Sequence, residues 1–212
     1  SNFVKCNGKA RADKKIYKEE QVIAPDFSND PDAVITEITE NGIHYKVDVE
    51  NGQKTGFFLD QRDARFALRS LSSGKRVLDL FCNSGGFSLS AAAGGAVQVT
   101  GVDVSEKALA VLGEMIRLNR ISDKECRVGT VCKDVFAFLD SVKPGSYDII
   151  VCDPPAFAKS HDAVEQARKA YVRLNRKCFE KLNSGNILIT SSCSGAITME
   201  DFKDCVRIAA GQ

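Results

Sequence analysis

Residues 76–87 read RVLDLFCNSGGF, and residues 97–104 read VQVTGVDV. Each begins as a short run rich in Val or Leu, which is the composition of a buried strand. The first passes through Asn83, Ser84, Gly85 and Gly86 into a stretch of small residues with helical character. Strand, glycine turn, helix and a second strand ending in an acid form the opening of a doubly wound α/β sheet. The Gly pair lets the backbone come closer to a ligand than a Cβ would permit. Asp103 follows Gly85 by 18 positions, near the ~20 at which such sheets place an acid for ribose hydroxyls. Read alone, the glycines also fit a tight turn with no ligand.

Downstream the same rhythm repeats. Cys126–Cys132, Tyr147–Cys152 and Asn186–Ser191 read as strands, while 105–119, 134–141 and 162–182 read as helices. In the last of these, Val164, Ala167, Tyr171, Leu174 and Cys178 recur at three- and four-residue steps, an apolar stripe suited to packing on a sheet. Alternating strands and helices predict a parallel sheet over 61–212. Upstream, residues 1–60 form a separate small β-rich block. Residues 1–30 are polar and read as irregular, with one short strand expected at Gln21–Ala24. Between Asn41-Gly42 and Asn51-Gly52, Ile43, Tyr45, Val47 and Val49 alternate with polar residues. This pattern predicts an antiparallel meander of three strands over 33–58.

Composition excludes several classes. The 212 residues carry 29 Lys and Arg against 28 Asp and Glu, so a nucleic-acid partner would need a local patch rather than bulk charge. No apolar run approaches the ~18 residues of a membrane span. The eight cysteines include no Cys-x-x-Cys pair, so no zinc site is expected, and free thiols point to a reducing, cytoplasmic setting. Cys82, Cys132 and Cys152 fall in apolar runs, where a thiol packs as a small hydrophobe.

The glycine turn lacks both the Gly-x-Gly-x-x-Gly spacing of dinucleotide binders and the Gly-Lys-Ser/Thr of a phosphate loop. A ligand with a ribose and no phosphates fits better, and S-adenosylmethionine has that chemistry. After the third strand, Asp134 can receive an adenine amino group with an apolar neighbour covering the ring, or simply cap a helix. The fourth strand ends Asp153-Pro154-Pro155-Ala156-Phe157, where the prolines stiffen the exit and hold Asp153 at the carboxyl edge. A strand-terminating turn is the plain alternative. The fifth ends Ser191-Ser192-Cys193-Ser194-Gly195, placing Cys193 at that edge as the candidate reactive thiolate.

Together, Phe58-Leu59-Asp60-Gln61-Arg62, the Asp79–Gly86 turn, Asp153-Pro154-Pro155 and Ser192-Cys193-Ser194-Gly195 resemble the bacterial large-subunit ribosomal RNA cytosine-5 methyltransferases. Among these, the group joining an RNA-binding PUA domain to a methyltransferase domain is most similar. The resemblance covers about residues 30–210. It implies a Rossmann-like class I methyltransferase sheet, S-adenosylmethionine as methyl donor and ribosomal RNA as partner; the absence of a membrane or metal partner is expected from the hydropathy and cysteine spacing above. It maps Asp79, Gly85, Asp103 and Asp134 to cofactor binding and Cys193 to the nucleophile. Phe81, Asn83, Gly86, Val104, Val135 and Asp153 complete the expected cofactor contacts. Arg62, Pro154, Pro155, Phe157 and Lys159 are the expected substrate contacts, with Asp60-Gln61-Arg62 bordering the cleft or starting a helix. The PUA part and a closing strand hairpin are expected to lie outside these residues, leaving one sheet edge uncovered.

Three other readings compete, one of them a small-molecule methyltransferase, which would not need the basic face of the 162–182 helix. A guanine-N7 or other nitrogen methyltransferase would share the Asp-Pro-Pro region, and Cys193 is the discriminating feature. A non-catalytic cofactor- or RNA-binding fragment would bind without turnover. The basic face Arg168, Lys169, Arg173, Arg176 and Lys177 reads first as a solvated helix face. His161 reads as a surface residue beside the prolines, and His44 has no assigned role.

Overall fold

The computed structural model describes residues 35–48, 57–122, 124–158 and 163–211. The chain divides into two compact units, Ser1–Arg62 and Asp63–Gln212. In the first, β1 (Ile35–Glu40) and β2 (Ile43–Asp48) pair antiparallel, with Ile38 opposite Tyr45 and Glu40 opposite Ile43. The turn between them holds Asn41 and Gly42 at φ 52° and 78°, the left-handed pair that Asn-Gly supplies. Alternation along β2 buries Ile43, Tyr45 and Val47, and the Tyr45 ring lies 4.7 Å from that of Phe57. The expected third strand, and the expected strand at Gln21–Ala24, lie outside the described residues.

In the second unit, five parallel strands are ordered β5-β4-β3-β6-β7: β5 (Arg127–Cys132), β4 (Gln98–Asp103), β3 (Arg76–Leu80), β6 (Ile149–Cys152) and β7 (Ile187–Thr190). Each of the five strands read from residue 76 onward is present, one or two residues shorter. The chain runs outward from β3 through β4 to β5, then crosses back to β6 and β7. The switch point therefore lies at β3 and β6, where open α/β sheets bind their ligands.

Side-chain alternation divides the core. Val77, Ile149 and Val151 face α1 (Arg62–Leu71) and α2 (Gly86–Ala93), packing with Leu68, Phe87 and Ala91. Leu78, Leu80, Ile150 and Cys152 face α4 (Val135–Ser141) and α5 (Val164–Phe179), packing with Val135, Leu139, Leu174 and Cys178. Each fully buried Leu or Ile in these layers contributes roughly 1.5–3 kcal/mol. The helix α3 (Glu106–Leu118) starts at a Ser105 cap, and α6 (Met199–Ala209) starts in a Thr198–Asp201 capping box. Between Leu59 and Leu71 lie a short 3-10 turn and then α1, a helix of which the sequence reading foresaw only a possible start. At the amino edge of the sheet, the Arg76 guanidinium grips Asp148 at 2.8 and 3.1 Å, and the hydrogen bonds hold that carboxyl below the usual carboxylate range.

The expectation for one cysteine needs correcting. Cys82 and Cys152 are buried, but Cys132 is exposed. It ends β5, one of the two edge strands of the sheet, in which four of the six residues are exposed. Among the described residues, no helix is long and apolar enough to cross a membrane.

Gly94, which ends α2, packs directly on the backbone of α1: a Cβ there would lie 2.2 Å from the Arg69 carbonyl oxygen. Backbone cannot swing aside as a flexible side chain can. Gly94→Ala is expected to cost about 1–3 kcal/mol, read in thermal unfolding as a Tm lower by roughly 2–12 °C.

Candidate active site at the carboxyl edge of the sheet

Parallel register brings the strand ends level. Asp79 stands opposite Gly101 on β4 and Val151 on β6, while Cys152 stands opposite Thr190 on β7. Three main-chain bonds extend the ladders past the strands: Cys82 N to Val102 O at 3.1 Å, Lys133 N to Asp103 O at 3.0 Å, and Ser191 N to Cys152 O at 3.1 Å. Five exits therefore share one edge, carrying Asp79 with the 81–86 turn, Asp103, Asp134, Asp153 and Cys193.

The turn after β3 is wound through the left-handed region at Phe81, Asn83 and Gly85, with φ of 60°, 48° and 86°. It is secured from β4: the Asn83 N–H donates to Asp103 Oδ2 at 2.9 Å, while the Ser105 N–H donates to Oδ1 at 2.9 Å. Each Asp103 oxygen keeps a further lone pair for a ligand hydroxyl. The two glycines serve the protein's own packing. A Cβ on Gly85 would lie 2.2 Å from Leu112 Cδ1, and one on Gly86 would lie 3.3 Å from Arg65 Cδ. At Gly85 the need for glycine comes from positive φ and the buried Leu112, so the turn alone does not argue for a ligand.

Asp79 does. Its side chain is 1% exposed, and Ser88 on the first turns of α2 donates to Oδ2 at 2.6 Å, while Oδ1 is buried with no partner. Burial pushes this carboxyl up to about 7, against the Ser88 hydrogen bond that lowers it; the charges of Asp153 and Asp103 add to the rise. A buried acceptor left unmatched costs on the order of 1–3 kcal/mol and is met by a donor such as an ammonium. Three carboxylates around one turn also suit a ligand that brings positive charge.

The remaining predicted residues divide. Asp134 caps α4, accepting the Ala137 N–H at 3.0 Å, and its exposed position leaves it open to a ligand. The Val135 side chain is fully buried in the α4–α5 layer and does not face the cleft, whereas the neighbouring Phe136 is half-buried under the Arg173 guanidinium at 4.8 Å. Val104 is exposed at the rim. Asp153 accepts a hydrogen bond from Ser191 on the next strand exit. Pro154 is buried, Pro155 exposed and Phe157 half-buried. The Cys193 thiol is exposed and donates to the Pro154 carbonyl at 3.6 Å, so the two exits meet. Arg62 is an exposed residue at the start of α1. Lys159 and His161 lie outside the described residues. On the basic face of α5, Arg168 pairs with Asp201 and Lys177 with Asp140.

Ser88 and Ser191 were not singled out in the sequence. Ser88 lies nine residues after Asp79 on the following helix, and Ser191 ends the strand beside Asp153, so a search for hydroxyls near each acid finds both.

A family model described as S-adenosylmethionine-dependent methyltransferase matches residues 7–209. The chain belongs to this family. A ribosomal RNA large subunit methyltransferase I of Cronobacter sakazakii is 40% identical over 175 residues, covering 82% of this chain and 44% of that protein. The Escherichia coli K12 protein of that name is 34% identical over 212 residues, covering 98% and 53%. A solved structure described as a methyltransferase complexed with SAH superposes with a TM-score of 0.70 at 32% identity, covering 83% of this chain and 46% of that one. The chain thus spans about half the length of the relatives it matches. The carboxylate-lined edge described above suits the family's cofactor, S-adenosylmethionine. That molecule brings a cationic amino group and ribose hydroxyls, the complements of a buried carboxylate oxygen left unmatched and of an acid fixed beside the turn.

Asp79 also sets a pH test. Its native pKa of about 7 exceeds the ~3.9 of an unfolded aspartate, so the native state holds the proton more tightly. Stability is therefore full below about pH 4 on this account and falls as pH rises towards 7. Asp79→Asn is expected to remove that slope and raise the Tm of the ligand-free protein at pH 8, while weakening S-adenosylmethionine binding in calorimetry. An unchanged slope would refute the assignment.

Proposed function

We propose that this chain is the methyltransferase part of an enzyme that forms 5-methylcytosine in large-subunit ribosomal RNA, working in the cytoplasm. In this reading residues 61–212 carry the chemistry and 1–60 form a small β-rich subdomain. The supporting observation is the exposed Cys193 thiol seated against the Asp153-Pro154 exit. The names of the relatives support ribosomal RNA as the acceptor class.

C5 of cytosine is a weak nucleophile. Cys193, as thiolate, adds to C6, which pushes electron density onto C5 and the N3 edge. Asp153, held by Ser191, hydrogen-bonds the N3/N4 edge and steadies the base as its charge distribution changes. When bound, S-adenosylmethionine supplies the electrophilic methyl for C5. A base then takes the C5 proton, the C5–C6 double bond returns and the Cys193–C6 bond breaks, so the thiolate is regenerated. The cytosine must leave its stack to enter this pocket, and the half-buried Phe157 and exposed Pro155 are the apolar surface it meets there. Asp79, Phe81, Asn83, Gly85, Gly86, Asp103, Val104, Asp134 and the main chain at Val135 hold the cofactor. Arg62 and Lys159 are the proposed RNA contacts.

A trapping assay tests this. RNA containing 5-fluorocytidine cannot lose the C5 substituent, so the enzyme with S-adenosylmethionine is expected to give a denaturation-resistant protein–RNA adduct. Cys193→Ala should bind S-adenosylmethionine as the wild type does and give no adduct. No wild-type adduct despite cofactor binding would overturn the reading in favour of nitrogen methylation or a binding role.

A further inference from the structure

We infer that the phenol of Tyr171 is a positioning residue for Cys193, an inference that rests on the nucleophile assignment above. Tyr171 belongs to the apolar stripe of α5 and is fully buried. Its ring sits between Phe157 at 4.8 Å and Phe202 at 5.2 Å, in a cluster with Ala158, Ala167, Ile197 and Cys205. Phenylalanine would fill that space as well, so packing does not account for the hydroxyl. What it touches does. Ser192 Oγ donates to it at 2.8 Å, and it lies 2.9 Å from Ser194 Oγ.

These two serines flank Cys193. The segment 191–194 has no regular secondary structure, so side-chain bonds must set its path. The Ser194 N–H closes the loop onto Ser192 Oγ at 3.3 Å. With residues 192 and 194 both tied to one buried oxygen, the residue between them is turned outward, which is where the Cys193 thiol is found. Ser194 Oγ also accepts the Ala158 N–H at 3.1 Å. Ala158 ends the exit that begins at Asp153. One hydroxyl in the core thus fastens both loops of the reaction centre, the one bearing the nucleophile and the one bearing the base-edge contact, without meeting the substrate itself.

The test compares the full wild-type chain with Tyr171→Phe. Loss of the phenol is expected to lower kcat by about 10–100-fold, the scale of a misplaced reacting group, with KM for S-adenosylmethionine unchanged. Site-resolved alkylation by iodoacetamide across pH gives a readout that does not need turnover. The Cys193 profile should shift in Tyr171→Phe while that of the exposed Cys132 stays in place. A Cys193 profile identical to wild type overturns the inference. Ser192→Ala/Ser194→Ala, which keeps the ring and its packing, guards against a folding defect in Tyr171→Phe. It should reproduce the shift, and adding Tyr171→Phe to it should change nothing more, whereas multiplying losses would overturn the shared network. The nucleophile assignment fails separately, on the absence of a 5-fluorocytidine adduct with the wild type.

Discussion

The parallel ladders joining β3 to β4 on one side and to β6 on the other put Asp79 level with Gly101 and Val151, and the rest of the site depends on that alignment. A central strand covered on both faces has no freedom to slip, because a one-residue shift would exchange the Val77 layer for the Leu78–Leu80 layer. With the register held, every chain exit falls at one edge. The charge pair of Arg76 with Asp148 closes the opposite edge, so polar groups at the two ends of β3 have separate tasks.

The site concentrates strain and charge that the fold does not need. Phe81 and Asn83 adopt left-handed backbone without being glycine, and the Asp79 carboxyl is buried with one oxygen unmatched. Each is a local cost, tolerated where the surrounding sheet over-determines the geometry, and the unmatched oxygen is one that a bound donor would satisfy. Packing elsewhere is ordinary: glycines at 85 and 94 sit where Leu112 and Arg69 leave no room for a Cβ. The contrast separates groups that serve the fold from groups that serve the ligand, even within a single turn.

Reading the chain as a sequence located the strands because buried parallel strands are continuous apolar runs, and their ends because acids, prolines and a Ser-Cys-Ser follow them directly. Asp79, Asp103, Asp153 and Cys193 were legible for that reason. The α1 helix was not, since four charged residues are interleaved with its apolar ones and its start at Arg62 follows a short turn. Cys132 was misjudged because strand composition does not say which strand is outermost. The Gly pair reads in the sequence as clearance for a ligand, but the neighbour that forbids a Cβ on Gly85 is Leu112, 27 residues on.

What the sequence determined by itself was local and periodic: strand and helix order, the Asn-Gly hairpin, the parallel sheet, and which chemical groups end each strand. Tertiary structure alone decided which of those groups meet. Ser191 reaches Asp153, the Cys193 thiol reaches the Pro154 carbonyl, and Tyr171, an apolar-stripe residue by its spacing, reaches both serines around Cys193. These partners come from different strands and helices, separated by 21 to 39 residues. Periodicity reports which face of an element is buried, but not which polar atom of a neighbouring element that face will find.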